Sequence, residues 1–231
     1  MKTLVFLHIP KTGGTTVSKI LDDHFAYNEV FTVDTYNPQS SWDILKREDR
    51  IFKLIKGHHV LGIHKLIQTP VEYFCYVREP VDHFLSTFYY IKSRTGNRFN
   101  KLIDGMSLEE FLDSDVIDTI PDFDNYQTRM FTGLYFAKRS LIKDGDELEA
   151  VARRNAEVIK NIFLTEDFNN GLDFISRRYG IEIPDDIKRE NVTNRRRRVE
   201  DISDEVKHKI EKRVKHDIAL YEFCRSMSSK K

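Results

Sequence analysis

The segment "HIPKTGGTT", from His8 to Thr16, carries residue types that bind phosphate groups. It follows the apolar run "TLVFL" and precedes the helical pattern "VSKILDDHF". The amino terminus of a helix binds anions because its N–H groups are unpaired and its dipole is positive there. Gly13 and Gly14 let the backbone approach an anion closely, and Lys11 adds a full charge. The segment also offers the hydroxyl donors Thr12, Thr15 and Thr16. This pattern predicts a phosphate-binding loop, although a plain turn with a surface lysine would share it.

The order of lysine and glycines differs from that of the NTPase loop G-x-x-x-x-G-K-[ST]. When that pattern is aligned on Lys11 and Thr12, its two glycine positions fall on Val5 and Pro10. Val5 lies in a predicted strand, and Pro10 has a fixed φ and no N–H to donate. An NTPase loop therefore cannot be built from this segment.

A second candidate anion site lies in "CYVREPVDHFLSTFYY", from Cys75 to Tyr90. Arg78 follows a predicted strand, and Pro80 suits the first turn of a helix. Ser86 lies on the side of that helix away from its apolar stripe. A guanidinium fork and a hydroxyl donor in this arrangement suit one phosphate group. The same spacing equally suits an arginine paired with a carboxylate and a serine in water.

Strands that alternate with helices are predicted to position both segments. Buried strands are predicted at Thr3 to Ile9, Glu72 to Val77 and Asn161 to Thr165, with a weaker one at Ile51 to Lys56. Helices are predicted at Val81 to Ser93, Ser107 to Leu112, Asp146 to Lys160 and Leu172 to Tyr179. Ser203 to Phe223 is predicted to be one long amphipathic helix, residues 224–231 a frayed tail, and "YNPQSSWD" and "IPDFDN" loops. The alternation predicts a single α/β domain over residues 1–231, with a central parallel sheet flanked by helices.

The composition narrows the class of protein. The 37 basic residues balance 37 acidic ones, so the net charge offers no general attraction to nucleic acid or to an anionic membrane. No apolar run approaches the ~20 residues of a membrane span, and Pro10 ends the apolar start too early for a secretory signal. Cys75 and Cys224 lie in apolar contexts and are expected to be buried free thiols. We expect a soluble, cytoplasmic protein with neither a nucleic-acid nor a membrane partner.

The two anion segments together resemble the nucleotide-binding motifs of the sulfotransferases that depend on 3′-phosphoadenosine 5′-phosphosulfate (PAPS). The resemblance is to the branch that includes heparan sulfate 2-O- and 6-O-sulfotransferases and small bacterial relatives. It continues in "GHHVLGIH", "DNYQTRMFTG", "FLTEDFNNGLDFI" and "NVTNRRRRVEDIS", in the family's order, and covers nearly the whole chain. It implies the NTPase-like sulfotransferase fold. The chain departs from the family's Golgi members in lacking their membrane anchor, which is a further reason to expect a cytoplasmic protein of the bacterial type.

The resemblance implies a role for each anion segment. The first loop would hold the phosphosulfate of PAPS, with Lys11 at the bridging oxygen that becomes the leaving group. Its other contributors would be Thr12, Gly13, Gly14, Thr15 and Thr16. Arg78 and Ser86 would hold the 3′-phosphate of the donor and of its product, 3′-phosphoadenosine 5′-phosphate (PAP). The family needs no bound metal, and we expect none here.

Transfer of a sulfuryl group to a hydroxyl requires a base for the acceptor proton, and histidine suits this at neutral pH. His58 occupies the position of the catalytic histidine in the segment "GHHVLGIH". His59 is the alternative because a shift of one residue in the alignment would exchange the two. His8 ends the first strand beside the loop and is expected to make a structural hydrogen bond.

Two further segments are candidates for binding. The run "NRRRR", from Asn194 to Arg198, could close over the 3′-phosphate through Arg196 and Arg197, meet an anionic acceptor, or remain in solvent. Asn125 and Arg129 are four residues apart and so share one helical face. They could line the acceptor cleft or bond to a neighbouring loop.

The sequence thus predicts a PAPS-dependent sulfotransferase that acts on a hydroxyl acceptor, with a carbohydrate as the expected acceptor class. Two alternatives stay open. One is a kinase with an atypical phosphate loop, which would require ATP and magnesium. The other is a family member that binds PAP or a glycan without turnover.

Overall fold

The computed structural model describes residues 2–34, 37–47, 50–59, 61–133, 145–187 and 196–228. Its strands are β1 (Thr3–Leu7), β2 (Val30–Thr32), β3 (Leu54–Gly57), β4 (Val71–Val77) and β5 (Asn161–Leu164). Its helices are α1 (Gly14–His24), α2 (Pro38–Arg47), α3 (Pro80–Ser93), α4 (Asn100–Ile103), α5 (Leu108–Leu112), α6 (Val116–Thr119), α7 (Tyr126–Thr132), α8 (Gly145–Ile159), α9 (Phe168–Tyr179), α10 (Asp204–Arg213) and α11 (Lys215–Ser228).

The strands form one five-stranded parallel sheet in the order β2-β3-β1-β4-β5. In the centre of the sheet, Val5 pairs with Ile55 of β3 and with Tyr73 of β4. Parallel strands end at the same edge of a sheet, so the segments after β1, β3 and β4 lie next to one another. Ligands of open α/β sheets bind outside this edge. The topology therefore brings together the loop after β1, the histidines after β3 and Arg78 after β4.

Helices cover both faces of the sheet, as predicted. Successive side chains of β1 alternate between the faces, so that Leu4 and Phe6 pack with α1 and α9. Val5 and Leu7 pack on the other face with α7, α8 and α11. A third apolar cluster joins α3 to α5 and α10. Because the central strand is buried on both faces, the position of its carboxyl end is fixed by the core.

The predicted long helix over Ser203 to Phe223 is wrong, because the chain forms two helices that meet at Val214. The backbone N–H groups of His216 and Asp217 donate to Oδ1 of Asn125, at 2.9 and 3.3 Å. A side chain from α7's flank thus replaces two bonds of a continuous helical ladder. The predicted frayed tail is also wrong for residues 224–228, since α11 continues to Ser228 and Cys224 is fully buried.

Several elements were missed or misassigned, and the short helices α4 and α6 are among those not predicted. The short edge strand β2 has only three residues and was not predicted. Helix α2 begins at Pro38, within the predicted loop "YNPQSSWD", because proline also suits the first turn of a helix. The predicted loop "IPDFDN" contains a 3₁₀ turn at Pro121–Phe123. Cys75 and Cys224 are buried free thiols, as expected.

Candidate active site

The loop after β1 has an unusual backbone. Lys11 has a φ of 67° and Gly13 a φ of 82°, so both lie in the left-handed region. This conformation is uncommon for a lysine, and such strain is frequent at functional sites. Left-handed residues in tight loops are typical of the backbone nests that bind anions. Helix α1 begins directly afterwards at Gly14, so its amino terminus faces the same place.

Close packing explains both glycines of the loop. A Cβ atom on Gly14 would lie 2.0 Å from the ring of His8, and one on Gly13 would lie 2.8 Å from Phe168. The Thr12 hydroxyl is buried and donates to the carbonyl of Ile9 at 2.7 Å, so it braces the loop from inside. The hydroxyl therefore has a structural partner within the loop, and its predicted contact with a phosphate stays a prediction. Among the three threonines of the loop, Thr15 is exposed.

Arg78 joins the second anion segment to this loop. Its Nη1 atom donates to the carbonyl oxygen of Lys11 at 2.8 Å. Its Nε and Nη2 atoms contact Oδ2 of Asp82 at 2.7 and 2.6 Å. The structure therefore brings Arg78 against the loop. Ser86 is buried in α3 one turn after Asp82 and faces the same side of the helix.

The arginine run contributes one residue to this cluster. Arg196 forms an ion pair with Asp82, so one carboxylate bridges two guanidinium groups. Burial alone would raise the pKa of Asp82, but Arg196 and Arg78 outweigh it and lower that pKa. Arg197 instead pairs with Glu109 at 2.7 Å, and Arg198 is exposed. Asn194 and Arg195 lie outside the described residues. Of the two arginines predicted to bind the donor, Arg196 lies at the site and Arg197 lies beside α5.

The side chain of Lys11 is partly desolvated. Its Nζ atom lies 4.0 Å from the centre of the Tyr90 ring, a cation–π geometry. Burial lowers the pKa of Lys11 to about 8, with further contributions from the positive charges of Arg78, Arg94 and Arg196. A cavity of about 60 Å³ adjoins Lys11 and is lined by residues that include His83, Thr87, Tyr90 and Asn97. An anion bound here would restore full charge to the lysine.

The histidines after β3 occupy different environments. The Nδ1 atom of His58 lies 3.0 Å from the carbonyl oxygen of His8, and the two rings are 4.1 Å apart. A carbonyl can only accept, so neutral His58 carries its proton on Nδ1 and keeps a lone pair on Nε2. Burial lowers the pKa of His58, more than the hydrogen bond to His8 raises it. His59 is fully buried, whereas His58 retains some exposure. The geometry therefore favours His58 as the base.

The family model described as "Sulfotransferase family" matches residues 2–224. The chain belongs to the sulfotransferase family. No curated protein matches it.

The chain is similar to a solved structure of mouse sulfotransferase SULT7A1 complexed with PAP. The match has 14% sequence identity and a TM-score of 0.43, and covers 80% of this chain. It covers 60% of the mouse chain, so the present chain spans less than two thirds of that length. Among the helices of the described ranges, none has the length and apolarity that a membrane span requires.

Asn125 and Arg129 make contacts within the protein. The sequence had left open whether they do so or line the acceptor cleft. Asn125 is buried and bonds to the start of α11, as described above. Arg129 pairs with Asp124 at 2.5 Å and also donates to its carbonyl oxygen. These side chains hold α7 to its neighbours. Their role toward an acceptor has no support from these contacts.

Three residues at the site were missed by the sequence reasoning. Asp82 bridges the arginines, and His83 donates from Nε2 to the carbonyl of Pro10 at 2.9 Å, which braces the loop. Burial lowers the pKa of His83 to about 4, so the ring is neutral. Gln127 bonds to the backbone of Arg78. Asp82 and His83 lie in the quoted segment "VREPVDHF" and could have been considered, but Gln127 is 49 residues away and gave no signal.

Proposed function

We propose that this chain transfers a sulfuryl group from PAPS to an acceptor hydroxyl, and that the acceptor is a carbohydrate. Membership of the sulfotransferase family supports the reaction class. The observation that carries the proposal is the contact between Arg78 and the Lys11 carbonyl. It places a guanidinium suited to one phosphate directly beside a loop suited to another. A donor with phosphate groups at both its 3′ and 5′ positions matches that pair.

The residues of the loop would bind the 5′-phosphosulfate. The amino terminus of α1 and the left-handed loop backbone supply N–H groups, and the exposed Thr15 supplies a hydroxyl. Lys11 would move from the Tyr90 ring to the bridging oxygen. There its charge stabilises the negative charge that develops on the leaving phosphate.

Arg78, Arg196 and Ser86 would bind the 3′-phosphate. Asp82 now holds both guanidinium groups in place. The bound phosphate would compete with this carboxylate for the N–H groups of the two arginines. Arg197, paired with Glu109, is not part of the proposed donor site.

His58 would remove the acceptor proton. The His8 carbonyl holds the proton on Nδ1, so Nε2 accepts the proton of the hydroxyl. As the acceptor oxygen bonds to sulfur, the bond from sulfur to the bridging oxygen breaks. The products are the sulfated acceptor, PAP and protonated His58, which then releases its proton to solvent. Because His8 leads directly into the loop, the residue that orients the base also adjoins the donor site.

Binding and turnover experiments test the proposal. Calorimetry with PAP, with ATP and with ATP plus magnesium separates a sulfotransferase from a kinase. We expect PAP to bind and ATP to bind weakly, with or without magnesium. A radiolabelled PAPS assay against a panel of glycans, simple alcohols and tyrosine peptides then tests turnover and acceptor class. Tight binding of ATP only with magnesium would contradict the proposal, and PAP binding without transfer to any acceptor would indicate a non-catalytic binder.

A further inference from the structure

Gln127 makes a paired contact with the backbone of Arg78. Its Oε1 atom accepts from the Arg78 N–H and its Nε2 atom donates to the Arg78 carbonyl, both at 2.9 Å. The register of β4 with its neighbours ends at Cys75 on the β1 side and at Val77 on the β5 side. Arg78 therefore lies beyond the sheet, and the carboxamide of Gln127 replaces a strand neighbour there. Gln127 is 2% exposed, so these bonds are made in a dry environment where they are strong.

Gln127 is itself held by α11. Asp217 accepts from the N–H groups of Gln127 and Thr128 at 3.3 and 2.7 Å, and from the Thr128 hydroxyl at 2.6 Å. It thereby caps the amino terminus of α7, while Asn125 caps α11 in return. The reciprocal caps fix the position of Gln127 relative to the sheet. Hydrogen bonds thus connect α11 to Gln127 and Gln127 to Arg78.

We propose that Gln127 is a positioning residue that aims the Arg78 guanidinium at the 3′-phosphate of the donor. This inference rests on the function proposed above. An arginine side chain has many rotamers, and its direction depends on the backbone from which it starts. With its backbone paired, Arg78 points its guanidinium to the Lys11 carbonyl and Asp82. Loss of the pair frees the segment between β4 and α3 to shift, and small displacements of a binding group reduce affinity strongly.

The variant Gln127→Leu removes both bonds and keeps a similar volume. We expect its affinity for PAP to fall about tenfold or more, as the loss of a charge-assisted hydrogen bond would cause. Affinity for adenosine 5′-phosphate, which lacks the 3′-phosphate, should stay unchanged. In an Arg78→Met background, Gln127→Leu should have no further effect on PAP affinity. Calorimetry with the two nucleotides on all four proteins measures these values.

A matched control is available at the other end of the β4–β5 pair. Asn161 donates from its side chain to the Tyr73 carbonyl of β4 at 3.0 Å, a contact of the same kind away from the site. Asn161→Leu should lower the free energy of unfolding and leave both affinities unchanged. If Gln127→Leu does not fold, Gln127→Asn keeps the carboxamide but is one methylene shorter, so that it reaches the Arg78 backbone less well. It should show a smaller, selective loss of PAP affinity.

Different results separate the possible failures. Equal loss of affinity for both nucleotides in Gln127→Leu, or the same selective loss in Asn161→Leu, would overturn the positioning role. So would unchanged PAP affinity in a folded Gln127 variant when the parent chain binds PAP. If the parent chain does not bind PAP at all, the proposed function fails, and this inference fails with it.

Discussion

Lys11 combines a left-handed backbone, a cation–π contact and a lowered pKa. These properties have one physical origin, since the loop turns the side chain into a place shielded from water and near three arginines. An ammonium group in such a position is destabilised until an anion arrives. Donor binding and lysine protonation should therefore be linked.

We predict that PAP binding takes up protons near pH 8. Without ligand, a pKa of about 8 leaves Lys11 partly neutral at this pH, and the anion favours the charged form and raises the pKa. Affinity for PAP should therefore fall as the pH rises through about 8. Calorimetry in buffers of different ionisation enthalpy measures the uptake, and Lys11→Met should abolish it.

The same variant should lower kcat by about 10²-fold or more with the fold retained. Turnover close to that of the parent chain would remove the assignment.

His58 and His59 are distinguished by burial. We predict that His58→Ala abolishes transfer and keeps PAP affinity, because the base contacts the acceptor and not the donor phosphates. His59→Ala should instead lower the free energy of unfolding and keep kcat per folded molecule, because this side chain is fully buried. Because the pKa of His58 is lowered, the parent rate should persist as the pH falls to below about 6.5. Loss of PAP affinity in His58→Ala would indicate a structural role.

The loop after β1 and the start of α1 pack against the end of β1. The contact is made at Gly14, which lies against the His8 ring. The His8 ring occupies the space where a side chain at Gly14 would begin. The same ring also contacts the His58 ring at a tilt of 38°. The loop therefore cannot change its packing without disturbing the proposed base.

We predict that Gly14→Ala strongly lowers PAP affinity and the free energy of unfolding, because its Cβ would lie 2.0 Å from the His8 ring. Gly96→Ala is the matched control, since a Cβ there meets nothing within 4 Å and the residue lacks a positive φ. A His8→Ala, Gly14→Ala double variant should regain part of the lost stability. Thermal unfolding and calorimetry measure both quantities. Equal behaviour of Gly14→Ala and Gly96→Ala would show that the close packing is not required.

At the scale of the molecule, the reciprocal caps join α7 to α11, which are far apart in the chain. Asp217 is fully enclosed there, and its carboxylate interacts with N–H groups and with the Thr128 hydroxyl. Burial raises the pKa of Asp217 to about 6, and the hydrogen bonds from Thr128 and Gln127 lower it by less. A group at the junction of two helices should make the stability of the whole fold depend on pH.

We predict that Asp217 makes stability fall as the pH rises from about 4 to 7. The carboxyl is protonated in both states below its ordinary pKa of 3.8, and the folded protein bears the cost of ionising it above about 6. The contribution is up to about 3 kcal/mol. Other carboxylates have the opposite slope, so the test compares denaturant unfolding of the parent chain with Asp217→Asn across this range. A constant difference between the two proteins would contradict the prediction.

The sequence by itself determined the α/β class, the strands around the site and the two anion segments. These features are local: runs of apolar residues, a glycine loop with Lys11, and an arginine before a proline each depend on neighbours in the chain. The resemblance of "GHHVLGIH" to the family's segment predicted His58 as the base, with His59 as the alternative. Burial, which depends on how β3 lies beside β1, supports the same assignment.

Only the tertiary structure decided which polar residues meet. The bend at Val214, the inward position of Arg196, the structural role of Asn125 and the pairing of Gln127 with Arg78 all join segments far apart in the chain. No periodicity encodes such contacts, because a hydrogen bond between distant segments constrains single residues and not a repeating pattern. The contacts that hold the site together are therefore the features that are hardest to predict from the sequence.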